Sequence, residues 1–295
     1  MDHTDFSARD LAVKHNIYAS VRRRDGLPHA LFANYWRDVH STLCSRLPGL
    51  NFYVQQHFDR DHHANFWPVA DGMGRIEAKL DGSAELGFAN LEEQALFGEA
   101  GKILYADEAN FIGEAVAYYL PNGSITLVDR DENPARNGAD PFHRIHLYLS
   151  REPGQDTTTW LTETHTALAK HDSVVKWKLH LPDAYNNDQP APPSPNVEHT
   201  VGPDRLNLAV AEIAFTSPLA AKSLFASPLF QKMLAEQAQH INAIGVYLVT
   251  GYYTFVRDGL PTVAGLRGSR PAELITDLGA VNQLDEKVIS IFTPR

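Results

Sequence analysis

Three side chains in the first half of the chain carry the chemistry needed to move protons: His40, His57 and Glu85. His40 lies in YWRDVHSTL (35–43), one turn after Trp36. The apolar residues Phe32, Trp36, Val39, Leu43 and Leu47 share that face at helical spacing. An imidazole there serves as a general acid or base near neutral pH, or bonds a neighbouring carbonyl at the core edge. His57 ends an alternating segment just before a long loop, where pocket rims are built. Glu85 sits in SAELGFA (83–89) among apolar neighbours, and a carboxylate so placed has its pKa raised toward acid–base use. These three are expected to be catalytic. Trp36, Tyr53 and Gln55 are expected to contact the substrate. Tyr53 and Gln55 alternate with Phe52, Val54 and Gln56, so one set faces helices and the other faces the opposite side of the sheet.

The same three polar positions recur in the second half. Tyr35-Trp36 with His40 falls on Trp160-Leu161 with His165 in WLTETHTAL (160–168), Tyr53–His57 on Lys176–His180, and Glu85 on Glu212 in AEIAF (211–215). His165, His180 and Glu212 are therefore expected to form a second or supporting set of substrate contacts.

These residues need elements to hold them. Periodicity predicts a strand over 17–24, a helix from Pro28 to about 46, strands over 51–58 and 83–89, a helix over 91–105 and a strand over 115–120. The order is β-α-β-β-α-β, the ferredoxin-like pattern. After the polar stretch DRDENPARNGAD (129–140) it restarts: strand 144–149, helix 157–171, strands 174–181 and 206–215, helix 219–240, strand 245–256. The expected organisation is a first repeat over 14–128, a linker over 129–140, a second repeat over 141–257 and an extension over 258–295, with a short helix near 271–278 and a last strand near 287–292. Both faces of each sheet carry apolar residues, so the expected architecture is α+β, two ferredoxin-like sheets packed face to face as a barrel with helices outside. On that reading the barrel interior is the pocket.

Composition narrows the function. The chain has 295 residues and a formal net charge of −10, which argues against nucleic-acid phosphate as a partner. No apolar run reaches the length needed to span a bilayer, so no membrane partner is expected. The N-terminal MDHTDFSARDLAVKH has no apolar core of a signal peptide. With one cysteine, Cys44, an internal disulfide and a thiolate metal cluster are excluded, which fits a reducing, cytoplasmic setting. HFDRDHHANFW (57–67) is rich in ligand-type residues but lacks metal-site spacing. It reads as a solvated loop, and no metal is expected. Asp107-Glu108 reads as a turn, and PAPPSP (190–195) as a stiff polar loop. No phosphate loop or nucleophile elbow is present.

The segments YWRDVHSTLCSRLPGLNFYVQQHF (35–58), DGSAELGFANLEE (81–93) and ADEANFI (106–112) resemble the EthD family, a branch of the dimeric α+β barrel superfamily. The shared pattern is a Y/F-W-x-x-x-H helix, an L-P-G-L turn, a D-G-x-A-E-L strand and a D-E-x-x-F segment that ends in Phe111, an expected substrate contact. The second half resembles the family weakly and lacks D-E-x-x-F. The resemblance implies a barrel that binds a small apolar or aromatic molecule. It also implies an enzyme of the lyase, cyclase or oxygenase type without a bound organic cofactor, and a homodimer is an open expectation. The alternatives are a non-catalytic ligand-binding or stress-response barrel, and a haem-binding oxidoreductase.

Overall fold

The computed structural model describes residues 4–151 and 157–293. The first half runs β1 (His15–Arg23), α1 (His29–Tyr35), a π-helical turn (Trp36–His40), α2 (Ser41–Cys44), β2 (Phe52–Asp59), a two-residue β3 (Gly74–Arg75), β4 (Gly82–Phe88), α3 (Leu91–Ala100), α4 (Lys102–Glu108), β5 (Ile112–Leu120) and β6 (Ile125–Asp129). The second half runs β7 (Asn137–Arg151), α5 (Thr158–Ala169), β8 (Val174–His180), β9 (Leu208–Phe215), α6 (Pro218–Phe225), α7 (Pro228–Gln237) and β10 (Ile241–Arg257). β11 (Leu260–Pro261), α8 (Val263–Arg267) and α9 (Ser269–Asp277) follow.

The strands lie in the order β5-β1-β4-β2-β10-β7-β9-β8-β6. Each half therefore has its fourth, first, third and second strands side by side, the ferredoxin-like order expected. β2 joins the halves by pairing with β10, Tyr53 opposite Val256 and His57 opposite Gly251. At the other end β6 pairs with β8. β5 and β6 are consecutive through a tight turn at 121–124, where Gly123 has φ +70°. The chain thus carries the sheet from one end round to the other, and the two sheets form an α+β barrel within one chain.

The loop between β8 and β9 completes that seam. It runs along the open edge of β5: Asp183 N donates to Tyr119 O at 3.0 Å, Ala117 N to Ala191 O at 2.9 Å and Ala115 N to Glu198 O at 2.9 Å. The edge strand is thereby covered rather than left as a template for another chain.

Alternation assigns the faces. Ala19, Val21, Ala84 and Leu86 of the first sheet pack toward its helices. Leu147, Leu149, Trp177, Leu179, Ala211 and Ile213 do so in the second. Tyr18, Tyr118 and Tyr148 point the other way, into the barrel. Gly49 of the L-P-G-L turn has φ +91° and packs so close to the Glu93 backbone that a Cβ would overlap it.

Local departures from expectation have local causes. The long helix of the second half breaks where Pro228 starts a new one behind the Ser227 cap. The last predicted strand is a short helix, Glu286–Ile289, at a place with no strand edge to join. The expected match of His57 with His180 fails by one residue: Tyr53 and His57 face the helices, whereas Lys176, Lys178 and His180 face the barrel interior. In a strand, a slip of one residue reverses every side chain.

Candidate functional site

The cavity that His40 lines is not inside the barrel. A cavity of about 490 Å³ lies between the first sheet and the helices that cover it. Its floor is made of short side chains, Ala19, Ala84, Ala115 and Ala117, and its walls include Trp36, His40, Tyr53, Leu104 and Glu108. Pro192 and Pro193 of the β8–β9 loop roof it from the second half of the chain. The barrel interior, expected as the pocket, is instead filled by tyrosines and paired charges.

The π-helical turn holds Trp36 and His40 on the cavity side, both buried. In its wider spiral Ser41 N bonds back to Trp36 O, which also accepts from Gln55 Nε2 at 3.2 Å. Such turns recur at functional sites. Trp36 lies flat because the strand beneath it has Gly82, where a Cβ would overlap the indole.

His40 Nδ1 lies 2.8 Å from Asp107 Oδ2, at the end of α4. Tyr35 donates its hydroxyl to Asp107 Oδ1 at 2.5 Å. Burial alone would raise the Asp107 carboxyl, but the bonds from His40 and Tyr35 outweigh it and hold the group below its ordinary range. An ionised Asp107 only accepts, so the His40 hydrogen sits on Nδ1 and Nε2 is the basic nitrogen. Glu108, the next residue, behaves oppositely. Burial raises its pKa, and the nearby His40 and the Ser194 hydroxyl offset this only in part. Ser194 Oγ donates to Glu108 Oε2. Cys44 also reaches the cavity, but burial pushes its thiol far up, so it is no nucleophile.

The other expected residues scatter. His57 stacks on the back of Trp36 at 4.6 Å and 14° and meets Gln55 Oε1 at 3.2 Å. Burial, aided by the charge of Arg37, lowers its pKa to about 3. It supports the indole and forms no part of the cavity wall, and Gln55 lies behind the wall with it. Phe111 packs on His40 at 5.2 Å and on Phe32 and Tyr35, bracing the histidine. Glu85 is on the opposite face of the sheet, inside the barrel, where Lys178 Nζ reaches Oε1 at 2.6 Å. His180 and Glu212 are inside the barrel too. His165 is buried in the second core, with Trp177 Nε1 donating to its Nδ1 at 3.2 Å, and burial lowers its pKa to about 3. The structure thus brings together Trp36, His40 and Tyr53 and adds Asp107, Glu108 and Ser194. The D-E-x-x-F motif contained the first two of these additions, but spacing alone cannot pair a carboxylate with a histidine 67 positions away.

This architecture is that of the dimeric α+β barrel proteins. A monooxygenase-like protein from Fusobacterium nucleatum superposes with a TM-score of 0.51 at 8% identity, covering 85% of this chain and 97% of that one. An anthrone oxidase-like protein superposes with a TM-score of 0.50 at 6% identity, covering 85% and 96%. At these identities the likeness concerns the fold alone. Residues 24–115 match the family model of the EthD domain. The matched segment includes the His40 helix, β2, β4 and the Asp107-Glu108 pair. No curated protein sequence matches the chain. Among the described residues no helix is long and apolar enough to cross a membrane.

Proposed function

We propose that the outer cavity of the first repeat takes up a small, largely apolar aromatic molecule, and that His40 and Glu108 move protons on it. The observation that carries this reading is the His40–Asp107 pair at the wall of an apolar cavity. His40 Nε2 removes a proton from a phenol or from a carbon next to a carbonyl, and the Asp107 carboxylate stabilises the imidazolium that forms. Glu108, whose pKa burial raises, donates from its protonated form to the oxygen on which negative charge develops. That step is shared by decarboxylation, cyclisation and oxygenation without an organic cofactor, and these remain the reaction types under this proposal. The alanine floor and the Trp36 ring favour a flat ligand of a few fused rings at most.

The test is a thermal-shift screen of phenols, aromatic acids and quinones, followed by product analysis for each stabilising compound. A compound that raises the unfolding temperature of the wild type and of Glu85→Gln, and is converted by both but not by His40→Ala, supports the reading. A compound that binds but is equally inert with wild type and His40→Ala would point to a binding barrel instead. If no aromatic compound stabilises the wild type, the ligand class is wrong.

A further inference from the structure

On the opposite face of the first sheet, and across from it in the second, Glu85 on β4, His180 on β8 and Glu212 on β9 converge inside the barrel. One nitrogen or oxygen of each lies within 4.8 Å of the others, and all three residues are at most 2% exposed. Hydrogen bonding defines the state of the imidazole. Ser124 Oγ gives its single hydrogen to Glu85 Oε1 at 3.2 Å and accepts from Asn16 Nδ2 at 3.1 Å. At its contact with His180 Nδ1, 2.8 Å away, it can only accept again. With the Ser124 hydrogen on Glu85, the His180 hydrogen is on Nδ1, and Nε2 presents a bare lone pair. His180 Nε2 and Glu212 Oε2 both lack a hydrogen-bond partner among the described residues. Burying such acceptors unsatisfied is unfavourable, and a shared cation removes the cost. His146 adds to the pattern. It sits opposite Glu212 in the β7–β9 register, its Nδ1 meets the Tyr18 hydroxyl at 2.7 Å, and its Nε2 is also without a partner.

We propose that Glu85, His180 and Glu212 bind one divalent late first-row transition ion, such as Zn²⁺ or Co²⁺, inside the barrel. This departs from the sequence expectation of no metal. The donor set decides the class of ion. Lys178 already takes Glu85 Oε1, and Arg144 and Lys176 share Glu212 Oε1. Mg²⁺ and Ca²⁺ require an oxygen-rich shell that these shared carboxylates do not offer, whereas imidazole nitrogen with one or two carboxylates suits zinc, cobalt and their neighbours. The bond from His180 Nδ1–H to Ser124 is the outer hydrogen bond that orients metal-bound imidazoles. The site faces away from the His40 cavity, so its role is to tie the two sheets together.

The test uses the full chain with His62→Ala and His63→Ala, which removes the loop imidazoles, after stripping with a chelator. Co²⁺ is titrated while visible d–d absorption and bound metal are followed, and thermal unfolding is measured with and without Zn²⁺. One equivalent bound with nitrogen-ligand bands, a raised unfolding temperature, loss of binding in His180→Gln, and affinity weakened about 10–100-fold in Ser124→Ala support the proposal. Ser124→Ala leaves every ligand in place, so it decides the matter even where the His180 variant is too unstable to assay. Absence of Co²⁺ bands in the parent, or bands unchanged in Ser124→Ala and His180→Gln, overturns it.

Discussion

The two halves share a strand order and a helix histidine, yet beneath the helix histidine the first has a cavity and the second, among the described residues, a packed core. Register makes the comparison residue by residue. Tyr18 faces Glu85 and His146 faces Glu212, so Ala19 corresponds to Leu147. Ala115 and Ala117, opposite Val21 and Ala19, correspond to Ile244 and Val246, opposite Leu149 and Leu147. Three alanines on the floor of the first repeat are thus leucine, isoleucine and valine in the second, and these pack into a solid core with Trp177, Leu161 and Leu168. His165 lies over that core with an indole N–H as its partner, where His40 has a carboxylate. The lesson is that a few methylene groups under a helix decide whether the same fold offers a binding space or a packed interior.

The sharpest way to break this comparison is to remove each helix histidine. On a compound turned over by the protein, His40→Ala should lower kcat/KM by about 10²–10⁴-fold, and Asp107→Asn should fall in the same direction. His165→Ala should leave turnover unchanged and lower only stability. Steady-state kinetics with parallel denaturant unfolding separates the two outcomes, and equal kinetic losses would dissolve the distinction between the halves.

A second route exchanges the floors. Ala115→Ile with Ala117→Val gives the first repeat the second repeat's side chains. It should weaken ligand binding about a hundredfold or more, read by calorimetry, while the fold survives. The reverse change, Ile244→Ala, should open the second core at a cost of about 2–5 kcal/mol, read as a lower urea midpoint. A ligand that binds the filled variant as well as wild type does not occupy this cavity.

The pH response should be alike in both halves. His57 and His165 have their pKa lowered by burial to about 3, against about 6.5 in the unfolded chain. The folded state refuses a proton that the unfolded state accepts. Their contribution is complete above about pH 6.5 and declines as pH falls toward 3, with a slope approaching about 1.4 kcal/mol per pH unit for each. His57→Gln and His165→Gln should each flatten acid unfolding curves. A variant with an unchanged acid slope would show that its histidine is protonated within the fold.

The smallest effect is expected at Ser194, where the second half reaches into the first half's site. Ser194→Ala removes the hydroxyl bond to Glu108. It should cost about 0.5–1.5 kcal/mol of stability and move the basic limb of the pH–rate profile upward, since the carboxylate form loses a donor and the acid Glu108 keeps its proton to higher pH. An unmoved limb would separate Glu108 from the chemistry.

Much of the fold was legible because periods of two and of 3.6 residues survive in both halves, and because Pro-Gly turns bound them. His40 was legible as a polar ring on an apolar helix face. That Glu85 faces away from the helices was legible from its apolar neighbours, but which set of β2 residues faces them was not, and that is why Glu85 and His57 seemed to share one pocket. Asp107, Glu108 and Ser194 lay hidden because their partners are remote in sequence. The cavity itself was hidden because it is a shortfall of volume across several strands, and no single residue announces it.

The β8–β9 loop has one more consequence. Pro192 and Pro193 close the cavity, and backbone bonds from Ala191 and Glu198 occupy the outer edge of β5. A fragment ending before the second half would carry His40, Asp107 and Glu108 yet have neither a roof nor a sealed strand edge. Such a fragment would be prone to self-association through β5. The half without the recognisable motif thus supplies both the roof of the site and the cover for its strand edge.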